Sequence, residues 1–287
     1  MNNWSLDWPA PAKLNLVLKI LNRREDGFHN IQTVFQFIDN YDFLDFRCRD
    51  DSKIARAKNI EGIPEEEDLS VKAAALLQEK MGITKGIEIS LTKHLPKGAG
   101  LGGGSSDAAT TLVALNHLWE CKLTSQELLE LGLTIGSDVP AFINGLPVWA
   151  EGRGENFENI KLPELWFVVL IPDCEVNTAE IFNDPELTRD SSRITIRDFV
   201  AGDDGNDCEF IVRKHYPQVA KVFETLNKYS KARLTGTGSC IFSEFETEQE
   251  AREVLGLLPE WIKGFVTKGV NESPLINRLA REIEQPK

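Results

Sequence analysis

Cysteine, long apolar runs and positive charge are all scarce in this chain of 287 residues. The five cysteines (Cys48, Cys121, Cys174, Cys208 and Cys240) lie far apart, are odd in number and form no C-x-x-C pair. That excludes a disulfide framework and a zinc knuckle, and it fits a reducing compartment. No apolar stretch reaches the roughly eighteen residues of a membrane span, and the opening MNNWSLDWPAP has no basic segment leading into an apolar one. Lysine and arginine number 32 against 45 aspartates and glutamates, a net charge of −13 spread along the chain. A nucleic-acid binder would show a basic footprint, and there is none. The expectation is a soluble, cytoplasmic protein with neither nucleic acid nor membrane as partner. Oligomeric state is left open.

Glycine, by contrast, is concentrated. Residues 96–109 read PKGAGLGGGSSDAA, with five glycines between Gly98 and Gly104. Before them, in GIEISLTKHL (86–95), Ile87, Ile89 and Leu91 alternate with polar residues, the period of a half-buried strand. After them Ala108, Leu112, Leu115 and Trp119 share one helical face, and Ser105, Ser106 and Asp107 are residue types that cap a helix start. Strand, glycine loop and helix N-terminus together make an anion site: N–H groups can crowd together where there is no Cβ, and the helix dipole adds positive charge. A phosphate is the natural guest. The loop lacks the Lys of a Walker P-loop, and no βαβ unit with an acidic residue about twenty positions on marks a dinucleotide fold.

Mixed strands and helices without regular alternation predict an α+β fold in two lobes, 1–155 and 156–287, divided in the turn-rich GRGENFENIKLP (152–163). AKLNLVLKIL and FHNIQTVFQFID read as a hairpin. Leu14, Leu16, Leu18 and Ile20 lie on one face, with Lys13, Asn15, Val17 and Lys19 on the other. A helix is expected over 65–82, capped by Gly82, and Thr124 with Glu127 forms a capping box. ELWFVVLIP and GFVTKGVN read as strands, RLTGTGSCIFSEF (233–245) as strand, glycine turn, strand, and EQEAREVLGLL as a helix. The polar stretch 183–207 reads as surface helices and loops.

Chemistry is carried by few side chains. Asp138 in GSDVP precedes Pro140, which fits the first turn of a helix, so Asp138 is either an N-cap or a catalytic carboxylate. Lys13 alone reads as a solvated strand lysine; beside Asp138 and an anion loop, the pair could hold a hydroxyl for proton transfer. Phe28 and His29, at the hairpin turn, read either as a platform for a base or sugar or, for His29, as an edge-strand histidine in solvent.

The three segments P-x-x-K-L-N-L, P-x-G-x-G-L-G-G-G-S-S-D-A-A and L-T-G-T-G-S resemble, in order and spacing over nearly the whole chain, the three motifs of the GHMP kinases. The resemblance implies that family's two-lobed fold, with an N-terminal lobe like domain 2 of ribosomal protein S5 and a ferredoxin-like C-terminal lobe. It implies ATP as phosphoryl donor, Mg²⁺, and a small-molecule acceptor. PAKLNLVLKI, DGFHNIQTVFQFID, GSDVPAF and NTAEIFNDPEL look like the branch that phosphorylates the 2-hydroxyl of a cytidine-diphosphate-linked methylerythritol, in the non-mevalonate route to isoprenoids. By that resemblance Lys13 and Asp138 meet the reacting hydroxyl. Lys93 and the run Pro96, Lys97, Gly98, Ala99, Gly100, Leu101, Gly102, Gly103, Gly104, Ser105 and Ser106 hold ATP. Asn15, Phe28, His29, Thr178 and Phe182 hold the nucleotide-linked substrate, with the two phenylalanines sandwiching the cytosine. No motif places a carboxylate on the metal, so its ligands stay unassigned, with Ser105 or Ser106 as a guess. Phe28 stands where many relatives have Tyr, and Asp68 where some have Asn.

Overall fold

The chain opens with the hairpin that its alternation predicts, β1 (Trp4–Arg23) paired antiparallel with β2 (His29–Arg49). The computed structural model describes residues 4–284. Next come β3 (Ile54–Arg56), α1 (Leu69–Met81), β4 (Gly86–Thr92) and α2 (Gly103–Leu118). After them follow α3 (Ser125–Ile135), α4 (Val139–Asn144) and the pair β5 (Val148–Gly152) and β6 (Asn156–Asn159). The rest of the chain supplies β7 (Trp166–Ile171), α5 (Thr178–Asn183), α6 (Ile196–Val200), α7 (Glu209–His215) and α8 (Pro217–Leu226). It closes with β8 (Arg233–Leu234), β9 (Ile241–Phe245), α9 (Glu248–Leu257), β10 (Lys263–Val270) and α10 (Pro274–Glu284).

The strands join in one sheet in the order β3-β4-β2-β10-β7-β9-β8, with β1 and the β5–β6 hairpin also on β2. Its second half, β10-β7-β9-β8, is antiparallel throughout. Counted within that half, the order is fourth, first, third, second, with α5–α8 and α9 as the crossovers. This is the ferredoxin-like β-α-β-β-α-β arrangement that the resemblance implies. Residues 37–38 of β2 meet 269–270 of β10, so the last strand ties the two halves together.

Several local expectations change on folding. The face of β1 does not run through: a bulge between Asn15 and Val17 shifts the register. Val17 therefore packs with Leu14 and Leu16, whereas Leu18 and Ile20 join the core of the second half. The helix expected from 65 starts at Leu69, after a short 3₁₀ turn, because the Asp68 carboxylate accepts from Ser70 N and fixes the N-terminus there. Gly82 ends it in the left-handed conformation, as expected. The turn-rich stretch 152–163 carries the turn and the second strand of the β5–β6 hairpin, whose β5 pairs with β2. The segment 183–207 is mostly irregular with one short helix, and it docks inward: Ser191 N and Asp207 N reach the carbonyls of Ile20 and Leu18. α7, α8 and α10, which the sequence pattern did not single out, complete the helical layers.

α2 lies at the centre of the first half. Every residue from Ser106 to Leu115 is buried, far more than the one stripe that its spacing predicts. It packs between the sheet, α1 and α4 in a core that includes Phe37, Leu77, Leu112 and Phe142. A helix buried on all sides is held rigidly, and so is its N-terminus. Among the described residues no helix is long and apolar enough to cross a membrane.

Candidate active site

The loop from 96 to 102 is clamped by protein on both sides. Lys13 N on β1 donates to Leu101 O at 3.0 Å, and Cys240 N donates to Ala99 O at 3.0 Å. Thr235 Oγ1 bridges the two clamps: it accepts from Asn15 N at 3.0 Å and donates to Gly100 O at 3.2 Å. Gly98, Gly100 and Gly102 all have positive φ, at 60°, 75° and 74°, a conformation that costs other residues energy. A Cβ at Gly100 would collide with the Thr235 carbonyl, and one at Gly102 would sit 2.7 Å from the Phe142 ring. At these two positions the close visitor to the backbone is therefore the protein itself. The three glycine- or lysine-bearing segments interlock around Gly100.

α2 also starts earlier than its sequence suggests. Gly102 is its N-cap, without a side-chain cap, so Ser105, Ser106 and Asp107 lie inside the first turns rather than capping them. The free N–H groups of Gly103, Gly104 and Ser105 are left for an outside acceptor. Ser105 lines the cleft; Ser106 does not, being fully buried with its Oγ unpartnered. Behind the loop, Lys93 is paired with the buried Asp42 and, at 2.8 Å, with Asp107. Burial alone would lower the Lys93 pKa, but Asp107 and Asp42 outweigh it and raise it above its ordinary value. Burial pushes Asp107 up to about 7; Lys93 opposes that rise, and Asp42 and Asp68 add to it. Lys97 is exposed and donates to Gly62 O at 2.8 Å.

Lys13 is not a solvated strand lysine but is 4% exposed. Its Nζ donates to Asn15 Oδ1 and, at 3.0 Å, to Gly100 O, and it lies 3.4 Å from Asp138 Oδ2. Burial lowers its pKa and Asp138 works against that lowering. Asn15 also donates to Thr33 Oγ1 at 2.8 Å, so its amide is engaged in aiming the lysine. Asp138 precedes α4 in helical conformation and makes no capping hydrogen bond, which removes the N-cap reading and leaves its carboxylate facing Lys13.

Beyond this pair lie the aromatics. His29, only 7% exposed, stacks on Phe182 with ring centroids 5.1 Å apart at 29°. Burial lowers its pKa, and Arg189 and Arg23 lower it further. Phe28 is 48% exposed, and the Arg153 guanidinium lies 3.7 Å from its ring centre. Thr178, in the first turn of α5, shares a 2.8 Å hydrogen bond with Thr237 of the turn after β8. One cleft of about 890 Å³ runs from Asp68 and Lys97, past Gly103 and Ser105, across Lys13 and Asp138, to Phe28, His29 and Phe182. All the expected site residues except Ser106 line it.

Known proteins share this plan. Residues 68–146 match the GHMP kinases N terminal domain and residues 195–262 the GHMP kinases C terminal domain. A protein of Shewanella halifaxensis (strain HAW-EB4), named 4-diphosphocytidyl-2-C-methyl-D-erythritol kinase, is 51% identical over 278 residues, 96% of this chain and 98% of its own length. The chain belongs to the GHMP kinase family. A relative of the same name from Pseudomonas aeruginosa (strain UCBPP-PA14) is 50% identical over 96% of this GHMP kinase and 97% of itself. A crystal structure of 4-(cytidine 5'-diphospho)-2C-methyl-D-erythritol kinase superposes with a TM-score of 0.78 at 31% identity, covering 92% of this chain and 99% of that one. A mevalonate kinase structure, at 16% identity and a TM-score of 0.68 over 93% and 100%, shares the fold.

The sequence reading missed Arg153, Arg189 and Thr237, and it named Lys93 and Asp107 without their pairing around Asp42. Thr237 sits inside the quoted L-T-G-T-G-S motif, where its type is the only signal. Arg189 meets its partner across 160 positions, and no local pattern announces that.

Proposed function

We propose that this GHMP kinase transfers the γ-phosphoryl group of ATP to the 2-hydroxyl of 4-diphosphocytidyl-2-C-methyl-D-erythritol. The observation that carries the reading is one continuous cleft. A helix N-terminus with free N–H groups lies at one end, aromatics suited to a pyrimidine at the other, and the Lys13–Asp138 pair, 3.4 Å apart, between them. The triphosphate lies against the N–H groups of residues 103–105, with Lys93 and Lys97 on the nucleotide side. The acceptor hydroxyl lies between Asp138, which takes its proton, and Lys13, which pairs with that carboxylate and faces the charge that builds on the transferring group. The transition state of phosphoryl transfer is loose, so most of the acceleration comes from alignment and charge neutralisation. A buried, threefold-tethered Lys13 supplies both.

Magnesium belongs to this chemistry. Among the described residues no group of three or more His, Cys, Asp or Glu side chains could hold a metal. Asp68, Asp107 and Asp138 in the cleft wall are each engaged with a cation. The donor set fits a cation carried mainly by the nucleotide's phosphates, with Ser105 as the protein-side oxygen; bound there, it would neutralise phosphate charge.

Turnover of ATP with Mg²⁺ tests the reading, with 4-diphosphocytidyl-methylerythritol, mevalonate, homoserine and galactose compared as acceptors. Phosphorylation of the cytidylated acceptor alone is expected. Turnover of another acceptor in its place would keep the Lys13–Asp138 chemistry and remove the nucleotide pocket.

A further inference from the structure

His29 sits at the aromatic end of the cleft with one ring nitrogen already committed. Arg189 Nε donates to His29 Nε2 at 3.1 Å. A guanidinium has five donors and no acceptor, so Nε2 must present a lone pair there. In a neutral imidazole the proton then stands on Nδ1, and a protonated ring would point N–H at N–H. The guanidinium is itself held: it donates to Leu187 O at 3.1 Å and to Phe182 O and Asp184 O at 2.8 Å each. These carbonyls close the C-terminal end of α5, so one arginine fixes both the histidine and the helix that carries Phe182. Phe182 in turn stacks on the His29 ring and fixes its plane. No described residue takes a hydrogen bond from Nδ1.

We infer that Arg189 is a positioning residue that locks His29 as an Nδ1–H donor and thereby makes the pocket choose a base with a bare ring-nitrogen acceptor. The inference rests on the nucleotide-linked substrate proposed above. Cytosine offers an unprotonated N3, whereas uracil carries N3–H at the same place and would set donor against donor. Discrimination of this kind is steep, because the wrong base leaves a buried donor unpaired.

Two measurements test it. In ¹⁵N-histidine spectra of the whole protein, with His29 assigned by the signal missing from His29→Gln, the Nδ1–H tautomer is expected; Nε2–H would overturn the lock. In turnover, the wild-type protein should favour the cytidine-linked acceptor over its uridine-linked analogue by roughly 10²–10⁴ in kcat/KM. Arg189→Met should cut that ratio at least about tenfold through KM, with kcat nearly unchanged, and Arg189→Lys should restore part of it. If Arg189→Met raised both KM values together and left the ratio intact, the arginine would only brace α5 and the inference would fall. If neither nucleotide-linked acceptor turned over, the proposed reaction would fail, while the tautomer would still decide the lock. The spectrum of the wild-type protein also decides if the arginine variants do not fold.

Discussion

The two ends of the cleft are built from different materials. The end proposed for the nucleotide presents backbone N–H groups, held by a helix buried on all sides and by a loop whose glycines fit against Thr235 and Phe142. The end proposed for the acceptor presents side chains, Phe28, His29 and Phe182, with His29 set by contacts between segments far apart in the chain. A backbone site tolerates little change of shape but is indifferent to most side-chain chemistry. A side-chain site can be retuned one residue at a time. That difference suits a family in which the donor stays ATP and the acceptor varies. The Lys13–Asp138 pair stands at the junction.

The largest effect should come from that junction. Asp138→Asn is expected to lower kcat by roughly 10²–10⁴ with little change in ATP affinity by calorimetry. An unchanged kcat would take Asp138 out of the chemistry. Next, Gly100→Ala should cost about 2–4 kcal/mol in urea unfolding, since the methyl meets the Thr235 carbonyl at a positive φ. Gly104→Ala, whose Cβ would meet only Leu69 Cδ1 at 3.4 Å, should cost less than about 1 kcal/mol. Equal costs would mean that the loop is not clamped as described. Phe182→Ala should raise KM for the cytidylated acceptor roughly tenfold to a hundredfold and leave KM for ATP alone, the range for loss of a base-stacking ring. A rise in both would show that the two ends are not independent.

A further effect is a pH dependence at the nucleotide end, read in stability and not in turnover. Asp107 is raised from 3.8 to about 7, so between those values the folded chain keeps a proton that the unfolded chain loses. Wild-type stability therefore falls as pH rises through that window. Asp107→Asn lacks the titration, so its stability relative to wild type should improve from pH 5 to pH 8. A difference that stays flat with pH would mean that Asp107 ionises normally in the fold.

The glycine loop, its flanking strand and helix, the capping box at Thr124 and the hairpin of β1 and β2 were all legible, because each is written in neighbouring residues. Reading the loop as a pure ligand cradle was incomplete: Gly100 and Gly102 are small to admit the protein's own Thr235 and Phe142. Asp138 shows the opposite limit. Its local pattern fits a cap equally well, and only the lysine arriving on β1 decides between the two readings.

The sequence by itself determined the mixed α+β class and the order of its motifs, since periodicity, turn chemistry and motif spacing are local properties. Only the tertiary structure decided that Lys13 is buried and aimed, that Ser106 turns away from the cleft, and that Arg189 fixes the proton on His29. The first and last of these rest on hydrogen bonds between residues far apart, Lys13 with Gly100 across 87 positions and Arg189 with His29 across 160. Contacts of that kind exist only once the sheet has closed, and nothing in the neighbouring sequence encodes them.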